Sequence, residues 1–424
     1  MKILVVGSGA REHTLVWKLA QSPKVKEIYT APGNAGTARL AHNLEVNPTD
    51  IESLAKFAQE NKIDLTIVGP EAPLAAGIAD RFLNIGMPVF GATKAAAEIE
   101  SSKVFAKELM QQYDIPCAQS TSFADYHQAK EYVQRQKLPV VVKADGLAAG
   151  KGVVIAKSVP QALEALASFM KRKTLGAAGD KVIIEECLVG KEMSSFAFTD
   201  ARTVVLMVPA CDYKRIYDND RGPNTGGMGS FSPPQFFDTA LDKAIQENIM
   251  TPTVNALRRE GRPYKGALYG GLMITNSGPN VLEFNARFGD PETQVILPRL
   301  KTDLVDILLA VVNDNLNQIK IEWSEAACVG VVMASAGYPG SHQIGFPITG
   351  LDEPDKEILI FHAGTKTGSA QGQILTSGGR VLTVVATGKD IKEARDKVYK
   401  NISRIHFKRC YYRRDIARIN SGKR

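Results

Sequence analysis

Between Val281 and Glu292 the chain reads Val-Leu-Glu-Phe-Asn-Ala-Arg-Phe-Gly-Asp-Pro-Glu. An alternation of period two turns Leu282, Phe284 and Phe288 toward a core and leaves Glu283, Asn285 and Arg287 together on the other face. Burying three such polar groups side by side is unfavourable unless they bind something. A carboxylate and an amide oxygen are hard-oxygen ligands, and a guanidinium clamps anions. That set suits Mg²⁺ bridging nucleotide phosphates. A solvent-facing strand would alternate in the same way, but the neighbouring strands are very apolar for an open sheet face.

A second stretch, from Lys143 to Gly152, is a strand ending in lysine followed by a loop with Gly146, Gly150 and Gly152 and a further lysine, Lys151. Small residues let backbone N–H groups close on phosphate oxygens while the lysines neutralise charge. No Gly-Lys-Ser/Thr opens a helix after it, so it is not a Walker A loop; taken alone it would equally suit a flexible turn. Glu185 and Glu192 flank the short connection after a strand at Val182–Glu186. The backbone there suits an adenine edge, with Glu185 accepting from the exocyclic amine and Glu192 from ribose hydroxyls; either acid in isolation would read as a solvated surface group. Finally, Asp212-Tyr-Lys214-Arg215 precedes Gly222-Pro-Asn224-Thr-Gly-Gly-Met-Gly229. A loop so rich in glycine must approach something closely or move.

Elements able to position these residues follow from periodicity. In the first hundred residues strand-like runs (Lys2–Val6, Glu27–Ala31, Leu65–Val68, Pro88–Phe90) alternate with helical stretches such as Ile51–Asn61. This predicts a parallel sheet covered on both faces, with ligands at the carboxyl ends of its strands. The loops Gly7–His13, Ala31–Thr37 and Gly69–Leu74 should therefore meet in one crevice. A second region, 101–325, opens with a helix at Lys103–Gln112. It holds strands at Pro139–Lys143, Val153–Ala156 and Val182–Glu186, a helix near Gln161–Lys171, and a hairpin of Gly270–Thr275 and Asn280–Phe288. The third, 326–424, contains strands at Cys328–Ser335, Ile358–His362 and Arg380–Thr387 and a helix at Ile391–Ile405.

The chain has 424 residues, enough for several cores. Its five cysteines and six histidines lack the spacing of zinc or disulfide frameworks, which suits a reducing compartment. No apolar run spans a bilayer and the N-terminus reads as a strand rather than a signal peptide, so the expected location is cytoplasmic, with no membrane partner. From Arg404 to Arg424 eight basic residues face one acid, Asp415, an excess equal to the whole formal charge of +7. No nucleic-acid-binding motif accompanies this basic tail, which reads as a solvated terminus; no nucleic acid is expected.

Together, the segments GSGAREH, APGNAGT, VGPEAPL, KADGLAAGKGV, GPNTGGMG and EFNARFGDPE resemble, in order and from Lys2 to about Arg414, those of phosphoribosylamine–glycine ligases (glycinamide ribonucleotide synthetases), a family of the ATP-grasp superfamily. The resemblance implies an α/β chain: an N-terminal open parallel α/β domain (1–100), a central ATP-grasp α+β domain (101–325) with a glycine-rich lid subdomain at about 119–190, and a small C-terminal α+β domain (326–424). It implies ligation of glycine to 5-phosphoribosylamine through glycyl phosphate, using ATP and Mg²⁺ or Mn²⁺. Lys103 and Lys143 would hold ATP phosphates under the loop Gly146–Gly152. Glu185 and the backbone of Glu186 and Leu188 would take adenine, and Glu192 ribose. Glu283 and Asn285 would ligate the metal, Arg287 would steady the γ-phosphate and acyl phosphate, and Asp212 and Lys214 would serve the glycine site. Gly9, Arg11, Glu12, Gly33, Asn34, Gly36, Gly69, Pro70 and Glu71 would line the phosphoribosylamine side, and Asn224 and Asp290 would also bind substrate. A stand-alone enzyme is expected, as a monomer with a homodimer open. Cys211 stands where the family often has glutamine, and the strand before Glu283 lacks the acidic metal ligand of many ATP-grasp enzymes.

Other readings fit less well. An NAD(P)-dependent oxidoreductase would need a third glycine where Glu12 stands and an acid at Thr30-Ala31. An ATP-grasp formyltransferase or carboxylase would not carry these N-terminal loops with GPNTGGMG. No activated Cys, Ser or His constellation points to a covalent enzyme intermediate.

Overall fold

The computed structural model of the chain describes residues 1–147 and 152–418. Its first strands, Lys2–Gly7, Glu27–Pro32, His42–Asn43, Leu65–Val68 and Val89–Phe90, form one parallel sheet with Lys2–Gly7 at the centre. Both faces are covered, as the unbroken apolar runs require. Ile3 and Val5 join Leu15, Val16 and Leu19 of the helix Ala10–Leu19 in one core. Leu4 and Val6 join Leu54, Ala55 and Ala58 of the helix Ile51–Glu60 in another. Each large side chain so buried stabilises the fold by about 1.5–3 kcal/mol. Asp50 fixes the start of the latter helix by accepting from Ser53 N–H.

Two four-stranded sheets follow. One pairs Ser120–Phe123, Val182–Glu186, Val140–Ala144 and Val153–Ala156. The other is an antiparallel sheet of Val204–Leu206, Lys191–Asp200, Lys265–Thr275 and Gly278–Asn285. Lys143 Nζ ties them by donating to Leu282 O at 2.9 Å. The helix Lys103–Gln112, capped by Ser102, is held to the first sheet by Asp145, which accepts from Val104 N–H at 3.2 Å. The predicted helix near 161–171 is an α-helix over Val159–Leu166 that continues as a π-turn to Lys171.

The last sheet crosses the expected regions. Its order is Cys211–Asp212, Gly229–Ser232, Ala327–Ala334, Arg380–Gly388 and Leu359–His362, so two of its five strands come from the middle of the chain. The loop 222–229 is glycine-rich because it must pass close to this unit. A Cβ at Gly229 would lie 2.7 Å from Gly330 O, and Gly226 N–H donates to Tyr338 OH at 2.8 Å.

Two expectations need correction. Period-two alternation does not hold through the second hairpin strand, because the register shifts opposite Gly271–Leu272. Val281 and Phe284 are both buried and Leu282 is only partly so, while Arg287 and Phe288 lie beyond the strand end. Extra residues in one strand of a pair break the alternation in this way. The basic C-terminal segment is also not simply solvated. Arg413 is 0% exposed: it pairs with Asp415 at 2.7 Å and Asp220 at 2.9 Å, donates to Arg215 O at 2.9 Å and lies over the Tyr213 ring. Ile416 and Ala417 are core residues.

Where the first and last sheets meet, His362 N–H donates to His13 Nδ1 at 2.8 Å. Burial, with His362 and Arg39 adding to it, holds the His13 imidazole down to about 3; burial and Arg39 hold His362 down to about 4. Below the ordinary value of 6.5 the unfolded chain therefore takes up protons that the folded chain refuses. Stability falls as pH drops through this window, by up to about 1.4 kcal/mol per pH unit per histidine. Denaturant unfolding should lose stability between pH 6.5 and pH 5, and His362→Gln should flatten that slope; equal slopes in the two proteins would contradict the assignment. Arg413→Met, which strands Asp415 without its partner, should cost about 3 kcal/mol in the same measurement.

Candidate functional site

The strand Gly278–Asn285 delivers Glu283 and Asn285 to the space between the two four-stranded sheets. Burial alone would raise the Glu283 carboxyl, but Lys214, Lys103, Lys143 and Arg287 outweigh it and hold Glu283 below its ordinary range. Asn285 Oδ1 accepts from Arg287 at 3.1 Å and keeps a second lone pair. An ionised carboxylate beside an amide oxygen fits a divalent cation. Among the described residues no cluster of three or more His, Cys, Asp or Glu could hold one unaided. Such a donor set suits an ion whose shell is completed by substrate oxygens and water.

Arg287, just past the strand end, is surrounded by acids. Its Nε lies 3.3 Å from Glu71 and its terminal nitrogen 2.9 Å from Glu100, and it donates to Phe288 O at 3.3 Å. Against the penalty of burial, Glu100 and Glu71 keep the guanidinium firmly protonated. Its terminal nitrogens are thus engaged within the protein, whereas Nε, though at ion-pair distance from Glu71, makes no hydrogen bond among the described residues. Glu100 was not visible as a site residue in the sequence, although an acid in the last turn of the helix Lys94–Ser101 opposes the helix dipole and is a signal of another role.

At the end of the strand Val140–Ala144, Lys143 pairs with Glu185 at 2.8 Å and Lys107 approaches the other Glu185 oxygen at 3.2 Å. All three side chains are buried. Glu185 Oε1 nevertheless lacks a hydrogen bond within the described residues, an acceptor able to take an external donor. Lys107, missed in the sequence, is one helical turn from Lys103. Lys103 Nζ donates to Gly146 O at 2.9 Å, joining the helix to the start of the glycine loop. Gly146 has φ +111°, and a Cβ there would come 3.1 Å from Ala178. Gly150 and Lys151 lie outside the described residues, whereas Gly152 O accepts from Ala144 N–H at 2.8 Å. The Glu186 N–H donates to Gln119 O at 3.1 Å, so of the backbone groups expected at the adenine edge that one is already committed. Leu188 is partly buried in the connection that follows.

Beyond Glu283 lies a mixed-charge cluster. Lys214 pairs with Glu192 at 3.1 Å, and Asp212 above all keeps Lys214 protonated. Glu192 is half-exposed and uses one carboxylate oxygen for this pair. Glu292 accepts from Ser194 Oγ at 2.9 Å; burial and the charge on Asp212 push its carboxyl up to about 7. Cys211 is buried, its thiol pushed well above the ordinary range by desolvation. Asn224 sits opposite Arg215 in a short hairpin.

The N-terminal loops do converge. Glu12 accepts from Gly9 N–H at 2.6 Å and pairs with Arg11, and any side chain at Gly69 would collide with Glu12. Arg11 is committed to Glu12 and, at 3.1 Å, to Phe288 O. Asn34 is committed as well: it donates to Ser8 O and His362 O at 2.8 Å each, and accepts from Gly36 and Thr37. Gly33, with φ +73°, and Pro70, at the start of the helix Glu71–Ala76, hold the loop backbones. Asp290 closes the group, since a Cβ at Gly9 would lie 3.6 Å from its Oδ2. Arg380, from the last sheet and unforeseen in the sequence, binds Asp290 at 2.8 Å and also donates to Gly226 O.

Comparison with known proteins agrees along the whole chain. Residues 1–100 match the family model of the phosphoribosylglycinamide synthetase N domain, 101–293 that of its ATP-grasp (A) domain, and 328–419 that of its C domain. A phosphoribosylamine–glycine ligase of Caldanaerobacter subterraneus subsp. tengcongensis is 51% identical over 417 residues, covering 98% of this chain and 99% of the relative. One of Escherichia coli O157:H7 is 46% identical, covering 98% of each. The crystal structure of a phosphoribosylamine–glycine ligase from Thermotoga maritima superposes with a TM-score of 0.86 at 34% identity, over 98% of this chain and 100% of that one. A biotin carboxylase domain from Hydrogenobacter thermophilus, at 14% identity and TM-score 0.73 over 97% of this chain and 91% of that one, shares the fold.

Glu283→Ala should lower nucleotide-dependent turnover by more than about 100-fold while leaving the unfolding midpoint close to that of the parent chain. Turnover and metal dependence unchanged in that variant would remove Glu283 from the site.

Proposed function

The chain belongs to the phosphoribosylglycinamide synthetase family, and we infer that it ligates glycine to 5-phosphoribosylamine in purine biosynthesis, forming glycinamide ribonucleotide, ADP and phosphate. The observation that carries this reading is the placement of Glu283, an ionised carboxylate in the field of Lys103, Lys143 and Lys214, between two sheets, in a chain that matches all three family domains in order.

A carboxylate is a poor electrophile, so the first step transfers the γ-phosphoryl group of ATP to a glycine carboxylate oxygen and releases ADP. The amine of phosphoribosylamine then attacks the carbonyl carbon of glycyl phosphate, inorganic phosphate leaves and the amine nitrogen gives up a proton. Lys103 and Lys143 lie where they can neutralise the phosphates, with Glu185 taking a donor from the adenine edge. Glu283 and Asn285 would hold Mg²⁺ or Mn²⁺, which when bound draws charge from the phosphate oxygens. Asp212 and Lys214 present opposite charges suited to the ammonium and carboxylate of glycine. Glu71 and Asp290 border the phosphoribosylamine side beside Gly9 and Gly69. Because glycyl phosphate hydrolyses readily, the segment 146–152 is assigned the task of covering the site against water.

The deciding experiment is ADP release by the purified chain with ATP, Mg²⁺, glycine and freshly generated phosphoribosylamine, omitting each in turn. Release is expected only with all components, with glycinamide ribonucleotide as product. Release that ignores glycine, or that requires a different carboxylate, would overturn the substrate assignment and leave the ATP chemistry standing.

A further inference from the structure

Glu100 is an acid in an unfavourable place. It is buried, in the last turn of the helix Lys94–Ser101, where neither solvent nor the helix dipole supports a negative charge. Burial pushes its carboxyl up, and Arg287 offsets this only in part. Both of its oxygens are nonetheless engaged at the end of the strand that carries Glu283 and Asn285. Oε2 accepts from Ala286 N–H at 2.7 Å, and Oε1 pairs with Arg287 at 2.9 Å. One carboxylate therefore grips the backbone at 286 and the side chain at 287, immediately after Asn285. Arg287 in turn donates to Asn285 Oδ1 at 3.1 Å and reaches Glu71 at 3.3 Å.

We propose that Glu100 is a positioning residue for the ligation: it fixes the direction in which Asn285 and Arg287 leave the strand, and through Arg287 it links that strand to the helix that begins at Glu71. Glu100 touches no substrate in this proposal and acts through the two residues it holds. Its location strengthens the case, because Ser102 caps the next helix and that helix carries Lys103 and Lys107. A displacement at Glu100 would thus disturb both sides of the nucleotide site. The proposal rests on the functional reading above.

The test uses the full chain with Glu100→Gln, which keeps an acceptor for Ala286 N–H and removes the charge facing Arg287. kcat, measured well below the variant's thermal midpoint, should fall at least about tenfold, while KM for ATP and for glycine each move by less than about threefold. Unchanged kcat, or a loss explained wholly by a lower midpoint, overturns the proposal. Glu100→Asp, which keeps the charge but withdraws it by one methylene, is the second variant. A smaller loss of kcat is expected there, and parental kcat would overturn the proposal even if Glu100→Gln fails to fold. Should the parent chain prefer another carboxylate, the ligase reading fails; the same kcat split measured on that carboxylate still decides the role of Glu100.

Discussion

A guanidinium largely withdrawn from water needs opposite charge around it, and Arg287 draws that charge from segments far apart in the chain. Glu71 opens the helix that follows the strand Leu65–Val68 of the parallel sheet, and Glu100 comes from the helix that leads out of that sheet. The desolvation penalty is tolerable only if both acids and the strand end stay in register, since removing one leaves a charge buried and uncompensated. Satisfying this single group therefore holds the N-terminal unit against the sheet that bears Glu283 and Asn285. Asp290 and Arg380 repeat the arrangement one turn of chain later and bring in the last sheet.

The same economy of charge shapes the rest of the site. Glu185 sits between Lys107 and Lys143 in a buried triad with two formal positive charges to one negative. Glu283 is kept ionised by the surrounding cations, whereas Glu292, a short way off beside Asp212, is pushed toward neutrality. The two carboxylates are thus shifted in opposite directions: both are buried, but cations outweigh that burial at Glu283, whereas at Glu292 the charge on Asp212 adds to it. Glycines admit the closest of these approaches: a Cβ at either Gly9 or Gly69 would collide with the Glu12 carboxylate.

Much of this was legible in the sequence. The parallel sheet was readable because unbroken apolar runs separated by amphipathic helices have few other ways to be buried. The helix at Lys103–Gln112 carries its own start signal in Ser102, and the strand at Val182–Glu186 is an apolar run buried as far as Glu185. Glycine-rich loops were readable as places of close approach. Alternation failed at Leu282 because a register shift is decided by the partner strand and leaves no mark in the local pattern. Charge counting misjudged Arg413, since the acids that bury it include Asp220 from a distant hairpin.

The sequence by itself determined which chemistries were available: lysines beside glycines for phosphate, Glu283 with Asn285 for a cation, and the order of three units along one chain. Residue type and local spacing suffice for that, because they depend only on neighbours in sequence. Tertiary structure alone decided which side chains remain free to meet a ligand. Arg11 and Asn34 turn out to be spent on holding loops, Arg287 is enclosed by Glu71 and Glu100, and Lys107 and Arg380 enter from elements with no motif of their own. Pairing of charges acts through space in a medium of low dielectric, so its outcome depends on distances that only the folded chain establishes.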